Sequence, residues 1–307
     1  MRSAKFLEGL SGGVAEQWVA NLLTPAFVFW VGGFIAVFQH ETNRKALREF
    51  LKPWSETQEI GLLIFALLIV ALSSFVMQRF DFIALRWLEG YWPRWLRPLR
   101  DRFIKQQRRR KHRAQDRCAD LDKKRDLRQL NANEAEDLAR FEHQLQYLPK
   151  EDENLMPTRL GNILRAAEET PDLRYGLDPV LCWPHLWLIL PEQTRADVAT
   201  ARQDLDTSVR VLLWGLLFII WTAWAWWAFP VGIIVTLFAY GWSCNSAVVY
   251  ADLLVATFTL HRFALYQDLN WSIPTSPAEE KKLAAQLNAY LAWGDVPDNW
   301  QYHLPEA

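Results

Sequence analysis

Four apolar runs of about 20 residues constrain this chain more than any other feature, because a helix of that length, rising about 1.5 Å per residue, matches the roughly 30 Å hydrocarbon core of a bilayer. They are WVANLLTPAFVFWVGGFIAVF (Trp18 to Phe38), IGLLIFALLIVALSSFVMQ (Ile60 to Gln78), VRVLLWGLLFIIWTAWAWWAF (Val209 to Phe229) and VGIIVTLFAYGWSCNSAVVYADLL, which starts after Pro230. A single such run could be the buried helix of a soluble protein. Four are a different matter, since helices of globular proteins keep a polar face. The expectation is an all-α, four-span helical membrane protein with a helical cytoplasmic insert between spans two and three. Whole-chain figures conceal this: 51% hydrophobic residues and a net charge of -1 over 307 residues would suit a soluble protein. The 17 Trp are more telling, because several cluster beside the apolar runs, where an amphipathic ring favours the membrane boundary.

Charge sets the expected orientation. Between Arg79 and Arg128 there are 17 Lys or Arg against seven Asp or Glu, including QQRRRKHR at Gln106 to Arg113, so this loop is predicted to be cytoplasmic. In the connection from His40 to Glu59, Arg44, Lys45, Arg48 and Lys52 are balanced by Glu41, Glu49, Glu56 and Glu59. The turn WAWWAFPVG between spans three and four holds no domain, and Trp224, Trp226 and Trp227 suit the outer interface. Both termini are then expected to be cytoplasmic. Arg2 and Lys5 form a weak basic region, but Glu8 interrupts the apolar stretch and no small-residue cleavage site follows, so no cleaved signal peptide is expected. The expected divisions are a transmembrane hairpin (1–79), a basic helical hairpin (80–150), a helical module (151–207), a second transmembrane hairpin (208–265) and a tail (266–307).

Within the insert, Phe80 to Arg128 reads as a charge-rich helix broken near Pro93 and Pro98. Asn133 with Glu136 forms a capping-box pattern that restarts a helix. Leu138, Phe141, Leu145 and Leu148 follow at helical spacing, a stripe for packing internally or against another subunit. Next comes MPTRLGNILRAAEETPDLRYGLD. Thr158 is placed to cap a helix through Glu169, Thr170-Pro171 to end it, Gly176 to make a left-handed turn, and Asp178-Pro179 to open a further helix. The segment from Val180 to Leu190 is apolar but too short to span, so it is expected to be a core or interfacial helix. Pro191 opens a helix leading into span three. In the tail, Ser276-Pro277 and Glu279 start an amphipathic helix carrying Leu283, Leu287, Tyr290 and Leu291, which Gly294 ends and which is expected to pack on the module.

The combination MPTRLGNILRAAE, RYGLD and WPHLW, with QYLP before it and an apolar pair on each side, resembles a group of uncharacterised bacterial multi-pass membrane proteins. The likeness covers mainly Gln146 to Glu192. It implies bacterial origin and membrane location, and it transfers no catalytic residue.

Two sets of residues are candidate sites. Arg159, Asn162, Arg165, Arg174 and Tyr175 could form an anion pocket, since guanidinium forks and an amide suit phosphate or carboxylate. The plainer reading is that they cap helices and pair with Glu168, Glu169 and Asp178. In span four, Asn245, Asp252 and Thr259 lie seven residues apart and share a helical face, close to Ser243, Cys244 and Ser246. A polar stripe in lipid must face protein or water, so these residues either line a pore in a homo-oligomer or bond neighbouring helices, with Gly32, Gly33 and Gly241 allowing close approach.

No enzyme motif stands out. G-x-S-x-G, HExxH and P-loop patterns are lacking, and the six His are scattered without ligand spacing. Ser243 and His261 lie about 27 Å apart if on one helix, so they are not partners. Cys118, Cys182 and Cys244 form no CxxC pair. No metal or cofactor is expected. The run Arg108 to Arg113 beside a span points to anionic lipid more than to nucleic acid. The functional expectation is an oligomeric gated pore or membrane effector controlled by its insert through an anionic ligand or a cytoplasmic protein. The alternative is a non-conducting scaffold that docks a cytoplasmic partner.

Overall fold

The computed structural model describes residues 14–53 and 55–295, and every described element is helical. The reading of the first residues as lacking a cleaved leader, and the last residues of the tail, lie outside them. Numbered from the first described helix, the elements are α1 (Val14–Phe38), α2 (Glu41–Leu51), α3 (Glu56–Gln78), α4 (Asp81–Glu89), α5 (Arg97–Asp126) and α6 (Ala132–Gln146), followed by α7 (Arg159–Tyr175), α8 (Pro179–Ile189), α9 (Glu192–Phe218), α10 (Ala228–Asp268) and α11 (Pro277–Trp293). Three segments are long and apolar enough to cross a membrane: Thr57–Gln78, Glu192–Ala223 and Ala228–Asp268. In α1 the described apolar stretch is Thr24–Phe38, below that length.

Two compact units emerge. The first comprises the chain up to Leu85 together with Asp204–Ser243. Its core joins Ala26 and Phe29 of α1 to Trp214 and Phe218 of α9 and Ala228 of α10. Phe29 lies 4.9 Å from Trp214, ring centre to ring centre. Trp30 donates from Nε1 to Ser73 Oγ of α3 at 3.1 Å. The rest of α3 turns outward: Leu63, Leu68 and Leu72 are each more than 60% exposed, with Phe65 and Ile64 beside them. Such a surface in water would be a large uncovered apolar patch. Asp81 and Arg210, both buried, pair within this unit, the guanidinium donating to both carboxylate oxygens.

Close helix approach here uses glycines that differ in part from those expected. A Cβ on Gly32 or Gly33 would run into Phe218 or Trp221, as the sequence suggested, whereas Gly241 has open space. Gly215 and Gly232 supply the further contact, with a Cβ on Gly232 falling 2.9 Å from the Gly215 carbonyl oxygen. Of the turn tryptophans, Trp226 is 80% exposed, while Trp227 packs against the core and donates to Gln39 Oε1.

The second unit comprises Arg86–Gln203 and the chain from Cys244 onward. Helices α5 and α6 form a hairpin. Its core is Cys118, Leu121 and Leu138, with Phe141 and Leu145 packed against it, so three of the four stripe residues pack within the hairpin, while Leu148 lies beyond the end of α6. The α6 cap falls at Asn131, two residues before the expected Asn133: Asn131 Oδ1 accepts from Glu134 N at 2.8 Å and Glu134 Oε2 accepts from Asn131 N at 3.2 Å. Both pairs have the right spacing. Asn131 wins because Glu134 also takes an ion pair from Lys124 across the hairpin, a partner that residue spacing alone does not reveal.

Helix α7 begins at its expected cap, Thr158, but runs past Thr170-Pro171 to Tyr175. Pro171 is buried, and Thr170 Oγ1 donates to the Ala166 carbonyl at 2.7 Å. Burial of one continuous face outweighs one missing backbone donor. The helix ends instead at Gly176, whose φ of 77° is left-handed. Asp178 then caps α8, accepting from Val180 N at 2.8 Å. Helix α11, capped by Ser276 and ended by Gly294, packs on this region through Asn288, which donates to Gly176 O at 2.8 Å and accepts from Asp178 N at 3.1 Å.

Candidate functional site

The segment MPTRLGN is a joint between helix ends. Thr158 Oγ1 caps α7 by accepting from Gly161 N at 2.9 Å and donates to Leu88 O, at the C-terminus of α4, at 2.5 Å. A Cβ on Gly161 would lie 2.0 Å from the Glu89 carbonyl oxygen, so only glycine lets α4 end against the first turn of α7. The Thr158 hydroxyl thereby bridges the carbonyl end of α4 and the amide end of α7, satisfying one group at each terminus. Gly90 completes the turn with a φ of 105° and packs against Pro157.

Asn162 clasps the incoming chain. It is buried, accepts from Met156 N at 2.8 Å, and donates to Met156 O at 3.0 Å and Thr158 O at 2.8 Å. Just upstream, Asp152 receives Lys111 Nζ at 2.8 Å, His112 Nε2 at 2.7 Å and Arg108 Nε at 3.3 Å. The hydrogen bond from Lys111, followed by that from His112, holds the Asp152 carboxyl below the usual range. Sequence reading missed this cluster because its members are about 40 residues apart.

The five residues considered for an anion pocket do not converge. Arg159 and Arg174 sit at opposite ends of α7, about 22 Å apart at 1.5 Å per residue. Asn162 faces its own loop, and Arg165 pairs with Glu169 at 3.1 Å and Glu168 at 3.6 Å. Burial pushes both of these carboxyls up, as it does Glu89, against the opposing pull of nearby arginines. Tyr175 meets Thr259 Oγ1 at 3.0 Å, and its ring lies under the Arg262 guanidinium at 4.3 Å. Arg262 in turn pairs with Glu280 of α11 at 2.7 Å.

The polar stripe of α10 meets this module. Asp252 accepts from Tyr147 Oη at 3.0 Å, and Thr259 contacts Tyr175, while Asn245 is exposed and Ser246 buried. Burial, followed by the hydrogen bond to Asp252 and its charge, pushes the Tyr147 phenol up. Beside them, Arg174, Thr170, Gln146, Tyr147, Ala251 and Asp252 surround a cavity of about 90 Å³. That is room for about three waters at roughly 30 Å³ each, well below the 300 Å³ and more of ordinary ligand pockets.

The outer face of α5 is the strongest charged surface. Arg102, Lys105, Arg109, Arg110 and Arg113 are exposed along it, opposite the inward stripe of Lys111, Ala114, Cys118 and Leu121. Cys182 is buried, and burial pushes its thiol up to about 12, so it is inert as a nucleophile. Among the described residues no group of three metal-ligating side chains converges.

Comparison with family models, with curated proteins and with solved structures yields no match.

Proposed function

We propose that this protein is a non-enzymatic, multi-pass scaffold of a bacterial inner membrane, with four spans, cytoplasmic termini and a helical module that presents the basic face of α5 to anionic lipid. The observation that carries this reading is the use made of the α10 polar stripe. Two of its three residues, Asp252 and Thr259, bond Tyr147 and Tyr175 of the module, while Asn245 is exposed. This favours the scaffold over a gated pore. Length supports the same reading, since 41 residues of α10 extend about 61 Å, about twice the hydrocarbon thickness, so half of the helix is available to carry the module outside the lipid.

The test is ion flux from liposomes containing the purified protein, paired with its mass in detergent. A silent bilayer with correctly folded protein is expected. A leak that changes with Asp252→Ala would overturn the scaffold reading and restore the pore.

A further inference from the structure

Helix α2, ETNRKALREFL, has a charged side and an apolar side. At about 100° per residue, Asn43, Ala46, Leu47 and Phe50 share one arc, while Glu41, Arg44, Lys45, Arg48 and Glu49 lie on the other. Ala46 is exposed and Phe50 is 58% exposed, so more than half of that ring's surface is open whatever it touches on its protein side. At 11 residues the helix is too short to span. Basic residues on the polar side with Phe and Leu on the other are the pattern of a helix that lies in the plane of a bilayer surface.

Hydrogen bonds fix the level of its first turn. Gln39 Nε2 donates to Trp224 O at 2.7 Å, His40 Nε2 donates to the same carbonyl at 3.2 Å, and Trp227 Nε1 donates to Gln39 Oε1 at 3.1 Å. Trp224 and Trp227 belong to the turn between the two membrane-length segments that end at Ala223 and begin at Ala228. The junction of α1 and α2 is therefore held where those segments meet, beside Trp226, whose exposed indole suits the membrane boundary. Asn43 sets the direction. Its Nδ2 donates to Val37 O, in the last turn of α1, at 2.6 Å. Six residues of unbroken helix would rise about 9 Å, beyond the reach of that side chain. The chain instead bends at His40, whose backbone is extended. The arc that carries Asn43 thus faces the end of α1, and Ala46 and Phe50 continue the same arc beyond it.

We propose that α2 is an in-plane lipid anchor, with its Ala46 and Phe50 edge among the acyl chains of the outer leaflet and its charged side in headgroups and water. The inference rests on the membrane reading above and adds an attachment of the first outer loop to the lipid surface. The occupant is lipid because the bonds that orient the apolar edge also hold it at the boundary where the neighbouring spans leave the bilayer.

The experiment is electron paramagnetic resonance of the full chain in liposomes of phosphatidylglycerol and phosphatidylcholine, with a nitroxide on one introduced cysteine at a time. Positions 45, 46, 49 and 50 sample α2, and positions 63 and 68 sample the exposed face of α3. Oxygen concentrates in lipid and a water-soluble nickel chelate stays in water, so collisions with each report what surrounds the label. Labels at 46 and 50 are expected to lose collisions with nickel and keep those with oxygen, while labels at 45 and 49 keep their nickel collisions. Nickel collisions at all four positions would overturn the anchor by showing a solvated helix. Loss of both kinds of collision at 46 and 50 would overturn it by showing protein cover, a second copy of this chain included. Labels at 63 and 68 separate the two readings. Lipid surroundings there with nickel collisions at 46 and 50 would overturn the α2 anchor alone, whereas nickel collisions at 63 and 68 would overturn the membrane reading itself.

Discussion

Asn162 and Gly161 give the segment MPTRLGN a structural role at the joint between α4 and α7. The amide of Asn162 satisfies both backbone groups of Met156, and Gly161 lets a carbonyl of α4 approach where any side chain would collide. Gly161→Ala is therefore expected to lower stability by about 1–3 kcal/mol, the usual cost of overpacking, read as a fall in the thermal midpoint in detergent. The neighbouring Asp152 gives a pH prediction. Its folded pKa is held below the ordinary value of 3.8, chiefly by the hydrogen bond from Lys111. Its contribution is therefore complete above about pH 4 and is lost as the pH falls through the lower folded value. Unfolding midpoints compared between pH 6 and pH 3 should fall further for the wild type than for Asp152→Asn. Equal falls would show that the cluster contributes nothing.

Among helices, the pairing that matters most in the first unit is Asp81 of α4 with Arg210 of α9. Desolvation works against the charged form of Asp81, raising its pKa, while the hydrogen bond and charge of Arg210 oppose this. Removing one partner of a buried pair strands the other, so Arg210→Met should cost about 3–5 kcal/mol, and combining it with Asp81→Leu should recover most of that loss. Thermal unfolding of the single and double variants checks this; additive losses would mean the two side chains are not coupled. In the second unit, α7 is tied to α4 by Thr158, to α10 by Tyr175 and to α11 through Gly176 and Lys281, so it is the element on which the module is assembled.

For the molecule as a whole, orientation is the decisive property. Cys118, Cys182 and Cys244 are all buried, which leaves little background for labelling of introduced thiols. Positions 48 and 120 are both exposed, the first in α2 and the second in α5. In intact cells an impermeant maleimide should reach a cysteine at 48 and leave one at 120 unlabelled until the membrane is opened. Labelling of 120 from outside would invert the proposed topology.

Local chemistry was legible from the chain alone. The apolar runs, the caps at Thr158, Asp178 and Ser276, and the left-handed ends at Gly176 and Gly294 follow from residue types within a few positions of one another. Pro171 misled because burial along α7 outweighs the local cost of a missing donor. Asn133 misled because the choice between two valid caps was made by Lys124 on another helix. The same limit governed the candidate site: seven-residue spacing puts Asp252 and Thr259 on one face of α10, but spacing carries no information about what faces it. Tyr147 and Tyr175 are that partner, brought there by tertiary packing across 105 and 84 residues of chain. Helical periodicity is a property of neighbours in sequence, whereas the partner of a polar face depends on how distant helices bury their apolar sides.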